Sequence, residues 1–248
     1  MTLNQVNEFN QPIVELKTPL VFFDMDRTIL DVGVYHRKNF LYVLNKLFGI
    51  SELPPVETSG NPYMEVVRIF ARAAGIGDSF FDAKQTEMEK LLVQNMLDFL
   101  PEDITKFVFP GTVEILEKLN QEKIPVGLTT GSLRSIAIPM LKRSGLLKYF
   151  PVTAFGDQVQ TREQIIERGL QQAAWVYGLS RNEIQLVTIG DAPADIRAGR
   201  AFGAVTISVA NGLYTVDELL SYHPDYAFPS LQNTQGLYEK IVLGTICE

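Results

Sequence analysis

Residues 20–30 read LVFFDMDRTIL. Four apolar residues lead straight into two carboxylates, Asp24 and Asp26, with Arg27 directly after them. An apolar run without polar alternation is the pattern of a strand covered on both faces, as in a parallel sheet. Charges at the end of such a strand stand where open α/β sheets bind ligands, beyond the carboxyl ends of the strands. Residues two apart in an extended segment project to the same side, so Asp24 and Asp26 can address one partner together.

Two further runs repeat this pattern, VGLTT at 126–130 and IQLVTIG at 184–190, and each ends on small or acidic residues. VTAF at 152–155, AVTISV at 204–209 and DYAF at 225–228 are additional strand candidates. Helical patterns lie between them. Thr112–Asn120 follows Pro110-Gly111 and carries Val113, Ile115, Leu116 and Leu119; Arg162–Tyr177 carries Ile165, Ile166, Leu170, Ala173, Ala174 and Trp175 and ends at Gly178, a C-cap signal. In that second helix Trp175 and Tyr177 are assigned to the face packed on the sheet. Pro139 predicts a late start or a kink for the helix in 133–144. From residue 109 onward strand and helix alternate, which predicts an α/β fold with a doubly wound parallel sheet. Residues 34–108 break the rhythm with three successive helical patterns, His36–Phe48, Pro62–Ala74 and Ala83–Leu100. The expected organisation is a core of 1–33 plus 109–248 with an all-α insertion at 34–108.

Composition narrows the function classes. The 248 residues are 46% hydrophobic and 21% charged, which is globular composition. The formal charge is −7 with no Lys/Arg run, so no nucleic acid is expected as a partner. The single cysteine, Cys247, excludes an internal disulfide and a cysteine metal cage. The opening MTLNQVNEFNQPIVELKTP has neither signal-peptide character nor a membrane-spanning apolar block, and its first dozen residues are expected to be loosely ordered. The expectation is a cytoplasmic protein with no membrane partner and an oligomeric state left open.

If the three main runs are parallel neighbours, their ends gather Asp24, Asp26, Thr129, Thr130, Gly131, Ser132, Gly190, Asp191 and Asp195 in one crevice. Four carboxylates so placed repel one another and raise their own pKa values. A hard divalent cation with oxygen ligands relieves the conflict, and Mg²⁺ suits such a set.

Four segments in order, FDMDRTIL, LTTGS, TREQII and IGDAPADI, with a helical insertion after the first, resemble the four motifs of the haloacid dehalogenase superfamily of phosphohydrolases. FPG at 109–111 and LLKYF at 146–150 are similar to its phosphoglycolate phosphatase-like branch, whose helical cap is inserted after the first motif. The resemblance implies a Rossmann-like core, Mg²⁺ as cofactor and a small phosphorylated metabolite as substrate. Asp24 would attack phosphorus and form an aspartyl-phosphate, and Asp26 would protonate the leaving oxygen and then deprotonate the attacking water. Asp191 would hold Mg²⁺ together with the Asp24 carboxylate and the Asp26 main-chain carbonyl. Asp195 would hold a metal-bound water or the cation of the third motif. The Thr130 hydroxyl and the Gly131 amide would donate to phosphate oxygens.

Two positions depart from the family pattern. Arg27 stands where glycine is usual, and its side chain is expected to turn to solvent or to the cap. Arg162 stands where lysine is usual in the third motif; it keeps the charge and adds a bidentate fork for phosphate. Gly60, Asn61 and Tyr63, in SGNPYME at 59–65, are candidates for reading the substrate, while helix-start chemistry at Pro62 accounts for the same residues equally well. Thr129, Ser132 and Asp157 are read as turn and cap residues, with Ser132 also able to touch phosphate. His36 and His223 are isolated in sequence and are assigned no catalytic or metal role. The expected activity is phosphate monoester hydrolysis. A phosphomutase of the β-phosphoglucomutase type, a 2-haloacid dehalogenase, a receiver-like signalling domain and a non-catalytic binding protein of the same fold are the alternatives.

Overall fold

A computed structural model describes residues 17–243. The opening dozen residues and Cys247 lie outside that range. β1 (Thr18–Phe23) leads into three consecutive helices, α1 (Gly33–Phe48), α2 (Tyr63–Ala73) and α3 (Asp78–Phe99). There follow α4 (Thr112–Gln121), β2 (Val126–Thr129), α5 (Arg134–Arg143), β3 (Val152–Ala154), α6 (Arg162–Tyr177), β4 (Ile184–Gly190) and α7 (Pro193–Ala201). β5 (Val205–Val209), α8 (Val216–Leu220), β6 (Tyr226–Phe228) and α9 (Thr234–Leu243) complete the described chain. No described helix is long and apolar enough to cross a membrane.

The six strands form one sheet in the order β3-β2-β1-β4-β5-β6, and every pairing is parallel. The order reverses direction between β1 and β4, the topological switch at which open α/β sheets form their crevice. The pleat of β1 sorts its side chains to two cores. Leu20 and Phe22 join Ile166, Leu170 and Ala173 of α6 and Ala198 of α7 on one face. Val21 and Phe23 join Ile115 and Leu119 of α4, Met140 of α5 and Ile241 of α9 on the other. That second core continues without a break into Val43 and Leu44 of α1, Val67 and Phe70 of α2 and Met88 and Leu92 of α3. Burying apolar side chains at roughly 1.5–3 kcal/mol each thus ties the inserted helices to the sheet.

Register decides what the strand ends bring together. Phe23 pairs with Leu128 of β2 and with Ile189 of β4, and the Asp24 amide donates to the Ile189 carbonyl at 2.9 Å. The residues after these three positions therefore meet at one edge of the sheet.

Of the late start or kink expected from Pro139, the late start is corrected: α5 begins at Arg134 and runs through Pro139. The face expected for Trp175 is corrected too. Trp175 does not pack on the sheet but is 86% exposed. It lies nine residues beyond Ile166, and at about 100° per residue that is half a turn round from the buried stripe of α6. Tyr177 does face the sheet, and its hydroxyl bonds both the amide and the carbonyl of Val126 at 3.1 and 2.7 Å.

Candidate active site

Asp24, Asp191 and Asp195 each offer a carboxylate oxygen within 4.8 Å of the others, and all three residues are buried. Asp24 follows β1 and Asp191 follows β4, as the register requires. Asp195 comes from the first turn of α7, where its Oδ2 accepts the Ala192 amide at 3.0 Å and so closes the turn from β4 into the helix. Thr28, fully buried, binds the set together: its hydroxyl lies 3.1 Å from Asp24 Oδ2 and 3.2 Å from Asp191 Oδ1. It is the last fixed position of the D-x-D-x-T pattern at 24–28, which is the signal by which it could have been found.

Arg162 is the cation of the cluster. A capping box of Thr161 and Gln164 starts α6 and sets Arg162 as its first residue. The guanidinium, 7% exposed, bonds Asp24 through Nη2 and Asp195 through Nε. One positive charge faces three carboxylates there. Burial pushes the Asp24 carboxyl up to about 7; Arg162 opposes that rise, and Asp195 and Asp26 add to it. Asp191 is likewise pushed well above the usual carboxylate range by burial and by the charges of Asp24 and Asp195. Oxygen donors, close spacing and an unrelieved excess of negative charge all fit a small hard dication, so these residues suit Mg²⁺.

Asp26, two residues from Asp24, meets different surroundings. Its Oδ1 lies 2.9 Å from His36 Nε2, and its Oδ2 accepts the Ser132 hydroxyl at 2.8 Å. Burial alone would raise this carboxyl, but His36, Ser132 and the charge of Arg27 outweigh it and hold Asp26 below the ordinary value. The His36 ring is itself held: Nδ1 lies 3.2 Å from the Tyr63 hydroxyl, which Asn39 Nδ2 also approaches at 3.2 Å. His36 is therefore not isolated in space. α1 folds back over the sheet edge and lays it on Asp26. The available signal was the buried stripe of α1, in which His36 and Asn39 stand in line with Phe40, Val43 and Leu44. His223 lies away from the cleft, with its backbone at φ 56.

The loop after β2 has a structural layer and a cleft-facing layer. The buried Thr130 hydroxyl accepts the Ser132 amide at 3.1 Å and does not line the cleft, whereas Gly131 and Ser132 do. The Thr129 carbonyl accepts from Arg162 at 3.4 Å. Asp157 accepts the Arg134 amide at 2.8 Å and so caps α5.

The segment before α2 closes on this loop. The Tyr63 amide donates to the Gly131 carbonyl at 2.8 Å. Gly60 has φ 73, and a Cβ there would strike the Ala194 side chain. Only glycine combines that backbone conformation with so close an approach. The Glu57 carboxylate accepts the Ser59 amide at 2.6 Å, and Ser59 and Tyr214 hold it below its ordinary value. Gly60, Asn61 and Tyr63 all line the cleft, and Pro62 immediately precedes α2. The cleft measures about 180 Å³ and runs from Asp24, Asp26, Arg162 and Asp191 to Phe40, Val66 and Phe70 of the inserted helices.

A sequence profile of the haloacid dehalogenase-like hydrolases matches residues 21–209, and the chain belongs to that family. β2 to β5, the carboxylate cluster and Arg162 fall inside the matched span, while β1 begins just before it and β6 lies beyond it. Among individual proteins, the chain is 25% identical over 236 residues to a phosphoglycolate phosphatase of Agrobacterium fabrum, covering 91% of this chain and 94% of that one. It is 27% identical over 127 residues to a phosphoglycolate phosphatase of Escherichia coli strain K12, about half of each chain. Among solved structures, a β-phosphoglucomutase from Clostridium difficile superimposes with a TM-score of 0.72 at 18% identity, covering 90% of this chain and 96% of that one. A hydrolase from Pseudomonas syringae gives 0.68 at 19% identity, with 91% and 99% covered. These structures share the fold. The enzyme class expected from the sequence, phosphoric monoester hydrolysis, is the class of the two phosphoglycolate phosphatases.

Proposed function

We propose that this chain is a Mg²⁺-dependent phosphatase that hydrolyses a small phosphate monoester, of the phosphoglycolate or sugar phosphate kind, through an aspartyl-phosphate on Asp24. The observation that carries the reading is the meeting of Asp24, Asp191, Asp195 and Arg162 at the ends of β1 and β4, the switch point of the sheet. Asp24, the Asp26 main-chain carbonyl and Asp191 would hold the cation, with Asp195 behind them. When bound, Mg²⁺ supplies charge neutralisation that favours ionised carboxylates and draws electron density from the phosphoryl oxygens.

In this reading Asp24 attacks phosphorus, and the ester oxygen leaves with a proton from Asp26. A water then attacks the aspartyl-phosphate and gives its proton to Asp26, which restores the starting state. Held low by His36 and Ser132, Asp26 suits the second step in the free protein. An incoming phosphate dianion places negative charge beside it and raises its proton affinity, which is what the first step requires. Gly131 presents its amide towards the phosphoryl oxygens. Thr130 acts indirectly, through the turn that its hydroxyl fixes with the Ser132 amide. Arg162 neutralises charge while holding Asp24 and Asp195 in place. Residues 34–108 serve as a cap that covers the substrate and excludes bulk water, with Gly60, Asn61 and Tyr63 on its cleft side.

The test is phosphate release from a panel of small phosphate esters, with Mg²⁺ and with EDTA, beside an Asp24→Asn variant. Mg²⁺-dependent release that disappears in Asp24→Asn is the expected result. Absence of release from every ester rules the reading out, and an isomerised phosphate ester in place of free phosphate makes the enzyme a phosphomutase.

A further inference from the structure

Two guanidinium groups line the cleft and are not consumed by it. Arg27, half-buried, extends its side chain across Gly33 at the start of α1, and Arg37 stands exposed one residue beyond His36 on the same helix. Neither guanidinium makes a hydrogen bond or ion pair with another described residue. Arg162, by contrast, is fully engaged by Asp24 and Asp195. Both cations are chain neighbours of the groups around Asp26: Arg27 follows it and acts on it through its charge, and Arg37 follows the histidine bonded to it. If Asp26 meets the leaving oxygen, the rest of the leaving group shares the cleft with Arg27, whose charge reaches Asp26, and with Arg37.

Arg27 also sits in an unusual backbone state. Its φ is 63, in the left-handed region that glycine enters freely and a residue with a Cβ does not. The motif it belongs to usually carries glycine here. A strained non-glycine residue kept on the wall of a cleft points to a use for its side chain. The rest of the lining is of another kind: Phe40, Val66 and Phe70 are apolar, and the loop at 58–61 is uncharged. A volume of about 180 Å³ falls below the roughly 300–1,000 Å³ of drug-sized sites, which limits the occupant to a short skeleton.

We infer that Arg27 and Arg37 form a second anion subsite, so that the preferred substrates are short phosphate monoesters whose leaving group bears a further negative group, a carboxylate or a second phosphate. The inference rests on the phosphatase reading and narrows it. One pole of the substrate goes to Asp24 and its cation, the other to the two arginines, and the short carbon skeleton between them lies against Phe40, Val66 and Phe70. Arginine suits this role because its planar fork pairs with carboxylate and phosphate through two parallel hydrogen bonds.

The experiment compares kcat/KM, with Mg²⁺ present, for 2-phosphoglycolate, 3-phosphoglycerate, fructose 1,6-bisphosphate, glycerol 1-phosphate and glucose 6-phosphate. The enzymes are the wild type, Arg27→Gly, Arg27→Lys and Arg37→Gln. The readout is the ratio of anion-bearing to neutral leaving groups, which does not depend on the fraction of protein that is active. The wild type is expected to favour the anion-bearing esters, and whether carboxylates or the bisphosphate lead identifies which anion the arginines receive. Loss of one charge-assisted contact should lower the ratio about tenfold in Arg27→Gly and in Arg37→Gln, with part of it kept in Arg27→Lys. Arg27→Gly suits the backbone at that position, so it separates loss of the guanidinium from misfolding. A wild type that prefers neutral esters, or ratios that both variants leave unchanged while neutral esters are still hydrolysed, overturns the subsite alone. Hydrolysis of none of the esters by the wild type overturns the phosphatase reading and the subsite with it.

Discussion

Replacing Arg162 by methionine keeps most of the side-chain volume and removes the only cation bonded to the carboxylate cluster among the described residues. Arg162 is 7% exposed, and Asp24, Asp191 and Asp195 are 6%, 5% and 7% exposed, so water can do little to screen what is left. Breaking one side of a buried ionic set costs about 3–5 kcal/mol. For a chain of this size each kcal/mol is worth about 2–4 °C, so the melting temperature in EDTA should fall by about 6–20 °C. Asp24 can escape part of the penalty by taking up a proton, since its carboxyl is already pushed up to about 7. The drop should therefore be larger at pH 8 than at pH 5.5. Mg²⁺ then has more to offer the variant than the wild type. At a hundredfold excess over its dissociation constant a ligand adds about 2.7 kcal/mol, or about 5–11 °C. Thermal melts followed by circular dichroism, in EDTA and in Mg²⁺ at both pH values, measure all of this. A melting temperature in EDTA within about 2 °C of the wild type would refute the reasoning, as would a Mg²⁺ shift no larger in the variant.

Three further predictions concern the surroundings of the cluster. Gly212→Ala places a Cβ on Asp191 Oδ2; if Asp191 is the proposed metal ligand, its displacement should weaken Mg²⁺ binding by about 10–100-fold, and an unchanged calorimetric affinity would exclude it. Tyr214→Phe removes a hydroxyl that helps hold the Glu57 carboxyl low and, if residues 34–108 act as the proposed cap, should raise KM by about two- to tenfold through easier opening; steady-state kinetics with an unaltered KM would show that this interaction does not hold those residues over the cleft. In the metal-free protein the raised carboxyls of Asp24 and Asp191 mean that the folded state binds more protons than the unfolded chain, so stability should fall as pH rises from about 4 through about 7. Asp26 is lowered and contributes the opposite slope only as pH drops below its unfolded value. Melts that rise steadily across that window in EDTA would contradict the assignment.

Much of the sheet edge was legible because the chemistry and the register come from the same short segments. IQLVTIG at 184–190 is β4 residue for residue, and Arg162–Tyr177 is α6. In both, uninterrupted apolar or periodic patterning coincides with a clear terminal signal, Asp191 in one and Gly178 in the other. Long-range placement was harder. His36 is ten residues from Asp26, and its role depends on how α1 turns back after Val32. Gly212 acts through an Asp191 contact that no local pattern encodes. Trp175 was misplaced because a large aromatic in a helix reads as core, while the angular position of Ile166, Leu170 and Ala173 had already fixed the buried side. Arg27 is the instructive case: its departure from the motif was plain, but only the cleft walls give it a function.

Asp24 and Asp26 begin as the same functional group, two residues apart on one strand end, and the fold drives their proton affinities in opposite directions. Burial among Asp191 and Asp195 lifts Asp24, while His36 and Ser132 hold Asp26 down. Such divergence is how a site divides nucleophile from proton carrier, yet in the free protein the division runs the wrong way. A nucleophile must be ionised, and Asp24 near neutral pH is only partly so. A divalent cation shared with Asp191 favours the ionised form of both, and the phosphate dianion that follows favours a proton on Asp26. In the proposed reaction the two residues would reach their working states only when metal and substrate are both present. Activity that tracks joint occupancy of the cleft, and not either ligand alone, is what this electrostatic arrangement demands.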